Sequence, residues 1–257
     1  MKDALPGHAA FVRHLGQFCA PISWAPSRSS PASSLETNGT CALVDTGITN
    51  VLITCHHVWK GFWEGYRKKH HTAELLLGLG PGVPLILTGA QMLDCDKDLD
   101  LAVIKADFAQ RQLRTKAFYP IQEWPIPRPT VGDAVAIVGF PGSGRHACGG
   151  TAMSWSLKFL GLTVSGVSER NITLAPERND RRNYDENGTE IPHDDLGGMS
   201  GSPAFLLREV GPPSLVGFLY EGHNSDRFIF LTPASYLQRD GTLRSSHACG
   251  EAAHEDV

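Results

Sequence analysis

Three short segments carry side chains that can do chemistry. The first is Gly198-Met199-Ser200-Gly201-Ser202-Pro203. Glycine on both sides of a serine lets the backbone turn sharply, so the hydroxyl projects and neighbouring N–H groups can face a ligand. The bland reading is a plain Gly/Ser turn. The G-x-S-x-G elbow is excluded, because its strand–turn–helix context is missing. The second segment is VLITCHHV (residues 51–58), an apolar run that ends in His56 and His57. Read as metal ligands, Cys55, His56 and His57 are three adjacent residues that cannot wrap a tetrahedral zinc, and no C-x-x-C or H-x-x-x-H partner exists. The third is DCDKDLD (residues 94–100), four aspartates that run into the apolar LAVI. An EF-hand loop would need Gly at its sixth position and Glu at its twelfth, and has neither here. Asp100 is the acid that touches the buried-looking run.

Taken together, the three segments read His57, Asp100, Ser200. This is one known chain order for a nucleophile, its base and the acid that orients the base. His57 and Asp100 fall in the first part of the chain and Ser200 in the second. A cleft between two β units would gather them.

The elements that must position them follow from composition and pattern. The 257 residues are 41% hydrophobic and 19% charged, an ordinary balance for a chain with a sizeable core. Lys+Arg 23 against Asp+Glu 27 gives a net charge of −4, which argues against nucleic acid as a partner. No apolar window is long enough for a membrane helix, so no membrane partner is expected. The N-terminus has Asp3, His8, Arg13 and His14 where an export signal needs an apolar stretch. A cytoplasmic location is therefore expected. The six scattered cysteines (19, 41, 55, 95, 148 and 249) read as free thiols.

Gly 27 and Pro 17 indicate many turns and short strands. One helix fits around residues 8–18, followed by a Ser/Pro-rich connector at 26–34. Strand-like runs occupy 41–44, 51–55, 74–79, 83–87 and 101–104. A Pro-rich linker spans 119–133. Further runs lie at 134–139, 157–164, 171–174, 203–207, 215–220 and 228–231. Residues 176–192 read as a long surface loop and RKKHH (67–71) as a solvated loop. Thr232-Pro233 reads as the start of a short helix. The expectation is all-β in two halves. Residues 1–38 are a helix and connector, 39–118 a first barrel, 119–132 a linker, 133–240 a second barrel and 241–257 a tail. GFPGSG (139–144) lacks the G-K-[ST] of a phosphate loop.

The motifs GTCALV, LITCHHV, DLAVI, VGDAVAIVGFPG, GGMSGSPAF, LVGFLYEG and FLTPASYL occur in this order across residues 39–240. In this the chain resembles the chymotrypsin-like (trypsin-fold) serine peptidases, near the bacterial high-temperature-requirement and glutamyl endopeptidase branches. The resemblance implies two six-stranded antiparallel β-barrels with a short N-terminal and a short C-terminal helix. It implies a serine endopeptidase acting through an acyl-enzyme on protein or peptide substrates, with no metal and no cofactor. His57 would be the base, Asp100 its orienter and Ser200 the nucleophile. The N–H groups of Gly198 and Ser200 would form the oxyanion hole. Asp194 and Asp195 would floor the primary pocket, walled by Tyr220, Glu221 and Gly222, and favour Arg or Lys before the cut. Leu219 stands where glutamyl endopeptidases place a His, which argues against acidic specificity. Met199 replaces the Asp that pairs with a freshly cut N-terminus in trypsin-type enzymes, and Val58 replaces a disulfide cysteine. With residues 241–257 read as a tail, the peptide-binding domain that often follows the protease in the high-temperature-requirement branch is not expected. The alternative is a catalytically inactive binding module of the same fold. Either could answer to a regulatory partner.

Overall fold

The computed structural model describes residues 8–27, 30, 36–80, 84–106, 112–148, 153–175, 182–184, 196–222 and 228–244. In the first half, β1 (Cys19–Ala25), β2 (Glu36–Asp45), β3 (Asn50–Thr54), β4 (Glu74–Leu77), β5 (Leu85–Leu87), β6 (Met92–Asp96) and β7 (Leu101–Lys105) pair antiparallel. Their order is β5-β4-β1-β2-β3-β7-β6, and β8 (Tyr119–Pro120) joins β2 in parallel. In the second half lie β9 (Ala134–Gly139), β10 (Arg145–Ala147), β11 (Met153–Trp155), β12 (Lys158–Val167), β13 (Ile172–Ala175), β14 (Arg182–Tyr184), β15 (Pro203–Leu206), β16 (Ser214–Gly222) and β17 (Ile229–Pro233). The path β9-β12-β13-β17-β16-β15 returns to β9, which closes a six-stranded barrel. Strand β14 adds to β12, and β10 and β11 form a separate hairpin.

Period-2 alternation explains why the site-bearing strands look apolar throughout. Val51 and Ile53 of β3, with Leu101 and Val103 of β7, face a core shared with Ala136, Val138, Phe205 and Phe218 of the second half. Leu52, Ala102 and Ile104 face the opposite way, into the interior of the first sheet. Both faces are buried, so the pattern is a continuous run rather than an alternation. The shared core also takes Val12 and Leu15 of α1 (His8–Gly16), the helix expected near residues 8–18. Burying each large apolar side chain there contributes about 1.5–3 kcal/mol, which locks the two halves together.

The architecture departs from expectation in several places. Among the described residues the first sheet stays open, with β5 and β6 at its edges, while only the second half closes. Strand β1 was not anticipated, because Pro21 argues against an interior strand. It is accommodated next to a register shift at Ile22/Ser23. Residues 56–69 are helical: α2 (His56–Lys60), a π-helical stretch Gly61–Tyr66 and a last turn Arg67–Lys69. The supposed basic loop therefore begins inside a helix, anchored by buried Val58 and Phe62. The C-terminal helix shrinks to one 3₁₀ turn, Ala234–Tyr236, because the chain then reverses to pair Leu237 with Leu243. Within the supposed loop 176–192, residues 182–184 form β14, and residues 176–181 and 185–192 lie outside the described residues. Cys19, Cys41, Cys55 and Cys148 are free thiols. Cys95 is disulfide-bonded, which corrects the reading of six free thiols. Spacing alone could not foresee that bond, and Cys249 lies outside the described residues.

Candidate active site

Strand β3 ends at Thr54, and Cys55 keeps an extended backbone before α2 begins. His56 and His57 thus sit in the first helical turn, where N–H groups lack helical partners. Asp100 supplies both partners. Its backbone oxygen accepts from His56 N at 3.1 Å, and its Oδ1 accepts from His57 N at 2.8 Å. Its Oδ2 lies 2.6 Å from His57 Nδ1. One carboxylate therefore fixes both the main chain and the ring of His57. An ionised carboxylate only accepts, so Nδ1 must donate, and the neutral ring then offers Nε2 as an acceptor. Asp100 holds this position at φ 51, in the left-handed region. That conformation costs about 1–2 kcal/mol in a residue with a Cβ. The reverse turn before it is stabilised by Asp96 Oδ1, which accepts from Asp98 N and Leu99 N. His56 stays out of this pair, and burial lowers its pKa.

The Ser200 turn is held by backbone bonds. Met199 N donates to Leu196 O and Ser202 N to Met199 O, each at 2.9 Å. Gly198 and Gly201 adopt φ +91 and +89. A Cβ at Gly201 would lie 2.1 Å from Thr40 O, so the turn needs glycine there. The oxygen of Gly197 accepts from Gly142 N at 2.7 Å. In a trans peptide the next N–H points the opposite way, so Gly198 N–H is turned from that bond. The same holds for Ser200 N–H, because Met199 O accepts from Ser202 N. Among the described residues neither N–H donates a hydrogen bond.

Thr40 and Thr54 tie this turn to His57 and Asp100. Thr40 N donates to Ser200 O at 2.9 Å, and its Oγ1 donates to Gly198 O at 3.0 Å while accepting from Phe140 N. Thr54 Oγ1 donates to Thr40 O at 2.9 Å. The carbonyl of Leu219 accepts from both Gly201 N (2.7 Å) and the Cys55 thiol (3.2 Å). Residues flanking His57 and Ser200 thus share partners across the two halves. Thr40 and Thr54 are fully buried; both lie inside the motifs GTCALV and LITCHHV, but sequence reasoning gave neither a role.

The structure brings Asp100 and His57 into contact, with Ser200 on the adjoining turn. The Ser200 hydroxyl makes no hydrogen bond among the described residues, so its bond to His57 is unmade. Such bonds are often long before substrate arrives. Met199 is fully buried in the second barrel's core and has no room for a paired charge. Tyr220, Glu221 and Gly222 end β16. Tyr220 is half-buried and donates its hydroxyl to Asn171 Oδ1 at 3.2 Å. Burial raises its pKa, and the charges of Glu221 and Asp100 add to this. Glu221 is exposed. Asp194 and Asp195 lie outside the described residues. The donor atoms of Cys55, His57 and Asp100 lie within 4.8 Å of one another. This trio is not the consecutive Cys55-His56-His57 that spacing had ruled out.

No family model matches the sequence, and no curated protein matches it. Solved structures do match. Heparin binding protein aligns at TM-score 0.54 and 14% identity, over 86% of this chain and 87% of the other. Its [R23S,F25E] mutant aligns at 0.55 and 14%, over 87% and 88%. A thermostable serine protease, AL20, from an extremophilic microorganism aligns at 0.48 and 13%, over 85% and 91%. At these identities the likeness is one of fold, and the fold of this chain is the chymotrypsin-like two-barrel arrangement.

Proposed function

We propose that this chain is a serine endopeptidase. The observation that carries the reading is the carboxylate that holds His57 at both its backbone N–H and its Nδ1. In this mechanism His57 Nε2 takes the Ser200 proton as Oγ attacks the scissile carbonyl. Gly198 and Ser200 N–H groups receive the oxyanion, each worth about 3–4 kcal/mol in the transition state. The imidazolium, stabilised by Asp100, then protonates the leaving amine. An acyl-enzyme forms, and a water activated by the same imidazole hydrolyses it. A preference for Arg or Lys before the cut rests on Asp194 and Asp195, whose paired carboxylates would suit a cation.

The test is turnover of an unfolded protein substrate, followed by mass spectrometry of the products. Ser200→Ala and His57→Ala should each lower the rate by about 10⁴–10⁶ with the fold intact, and His56→Ala by far less. Loss with His56→Ala and retention with His57→Ala would overturn the assignment. A second reading, a binding module without turnover, is favoured by the unmade Ser200–His57 bond. The human heparin binding protein has a like fold. The net charge of −4 argues against a polyanion as the ligand here.

A further inference from the structure

We propose that Cys55, His57 and Asp100 form an inhibitory binding site for a thiophilic divalent cation of the zinc type. The regulatory meaning of the site rests on the peptidase reading; the binding itself does not. The thiol of Cys55 is fully buried, under the carboxylate that orients His57. The ligand atoms of the three residues lie within 4.8 Å of one another. His57 and Asp100 are 52% and 22% exposed, so an ion can reach them from solvent.

The donor chemistry selects the ion. Thiolate, imidazole and carboxylate together suit zinc, whereas magnesium and calcium take oxygen. Zinc needs about 2.0–2.3 Å to each donor, which sets tetrahedral donors about 3.3–3.7 Å apart, so the His57–Asp100 pair, 2.6 Å apart in the free site, must open to admit the ion. Thiolate and carboxylate bring two negative charges to a dication, and the buried pair is neutralised. Binding breaks the S–H bond of Cys55 and releases its proton. Water completes a tetrahedral shell.

Inhibition follows from proton placement. In the free site His57 carries its proton on Nδ1, facing Asp100, and Nε2 accepts. A cation on Nδ1 takes that lone pair. The neutral ring must then carry its proton on Nε2. Nε2 can no longer accept from Ser200, and Asp100 no longer stabilises an imidazolium. One ion therefore disables base and orienter together, while Ser200 is untouched. Spacing along the chain could not reveal this site, because the turn that carries Asp100 brings it to Cys55 from the far end of β6 and β7.

The test replaces zinc with Co²⁺ and reads the sulfur-to-cobalt charge-transfer band of the purified full chain, without substrate. Wild type should show the band at one ion per chain, and Zn²⁺ should displace it. Cys55→Ala and the more conservative Cys55→Ser should lose it, and His56→Ala should keep it. Loss of an outer partner alone weakens metal sites by about 10–100-fold, so loss of the thiolate should weaken Zn²⁺ by at least about 100-fold. No band in wild type, or a band that survives in Cys55→Ala, overturns the proposal. Both results are read independently of peptide turnover, so they separate failure of this site from failure of the peptidase reading.

Discussion

In the second barrel, Ser200 is positioned almost entirely by main chain: a closed ring of six strands, two glycines at positive φ and a ladder of short backbone bonds. In the first half, the open sheet positions His57 through side chains. Asp100 reaches across with its carboxylate, Asp96 shapes the turn before it, and Thr54 passes the linkage to Thr40. The Ser200 turn is therefore rigid in backbone, while the His57 side depends on a few replaceable polar atoms. Substitutions of the polar atoms around His57 should strike turnover first. Substitutions of the glycines in the Ser200 turn should strike folding first.

Asp100→Asn sharpens this contrast most. The amide keeps the shape but can present an N–H to Nδ1, which favours the wrong tautomer of His57. Turnover should fall by about 10⁴, with little change in melting temperature, measured by steady-state kinetics and calorimetry. A large loss of stability with normal turnover of the remaining folded protein would break the comparison. On the serine side, Gly201→Ala should cost about 3 kcal/mol of stability in denaturant titration, since its Cβ meets Thr40 O at 2.1 Å. Gly211, at φ +99 with nothing within 4 Å of a Cβ, is the control. Gly211→Ala should cost only about 1 kcal/mol. Equal losses at the two glycines would show that close approach to β2 does not constrain the serine turn. Among the site substitutions, the smallest effect is expected from Thr40→Val at the junction. It leaves Phe140 N–H without its acceptor and Gly198 O without its donor, for about 1–3 kcal/mol.

The chain order of His57, Asp100 and Ser200 was legible because each residue sits in a short, self-describing segment. Most strands were legible from apolar runs bounded by Gly, Pro and Asp. Less legible was whatever depends on tertiary pairing. Strand β1 was hidden because it holds Pro21, next to a register shift at Ile22/Ser23. Helix 56–69 was hidden because its anchors, Val58 and Phe62, are bracketed by histidines, glycines and a basic run that read as loop. The expected C-terminal helix failed because Leu237 pairs with Leu243 and turns the chain back. In the site, Thr40, Thr54 and Leu219 fall inside quoted motifs, but nothing in the sequence shows the hydrogen bonds they make. Their role comes from which residues lie opposite them across the two halves. The proximity of Cys55 to Asp100 has the same origin.

The central claim is that Ser200 is an activated nucleophile, and a fluorophosphonate probe tests it most directly. Such a probe bonds covalently to a serine only where a base withdraws its proton and donors hold the resulting oxyanion. The account predicts one adduct per chain, mapped by mass spectrometry to the Ser200 peptide. It should be absent from Ser200→Ala and strongly slowed in His57→Ala. Folded wild-type protein that takes no adduct, or takes it at another serine, would contradict the account and leave the binding-module reading in its place.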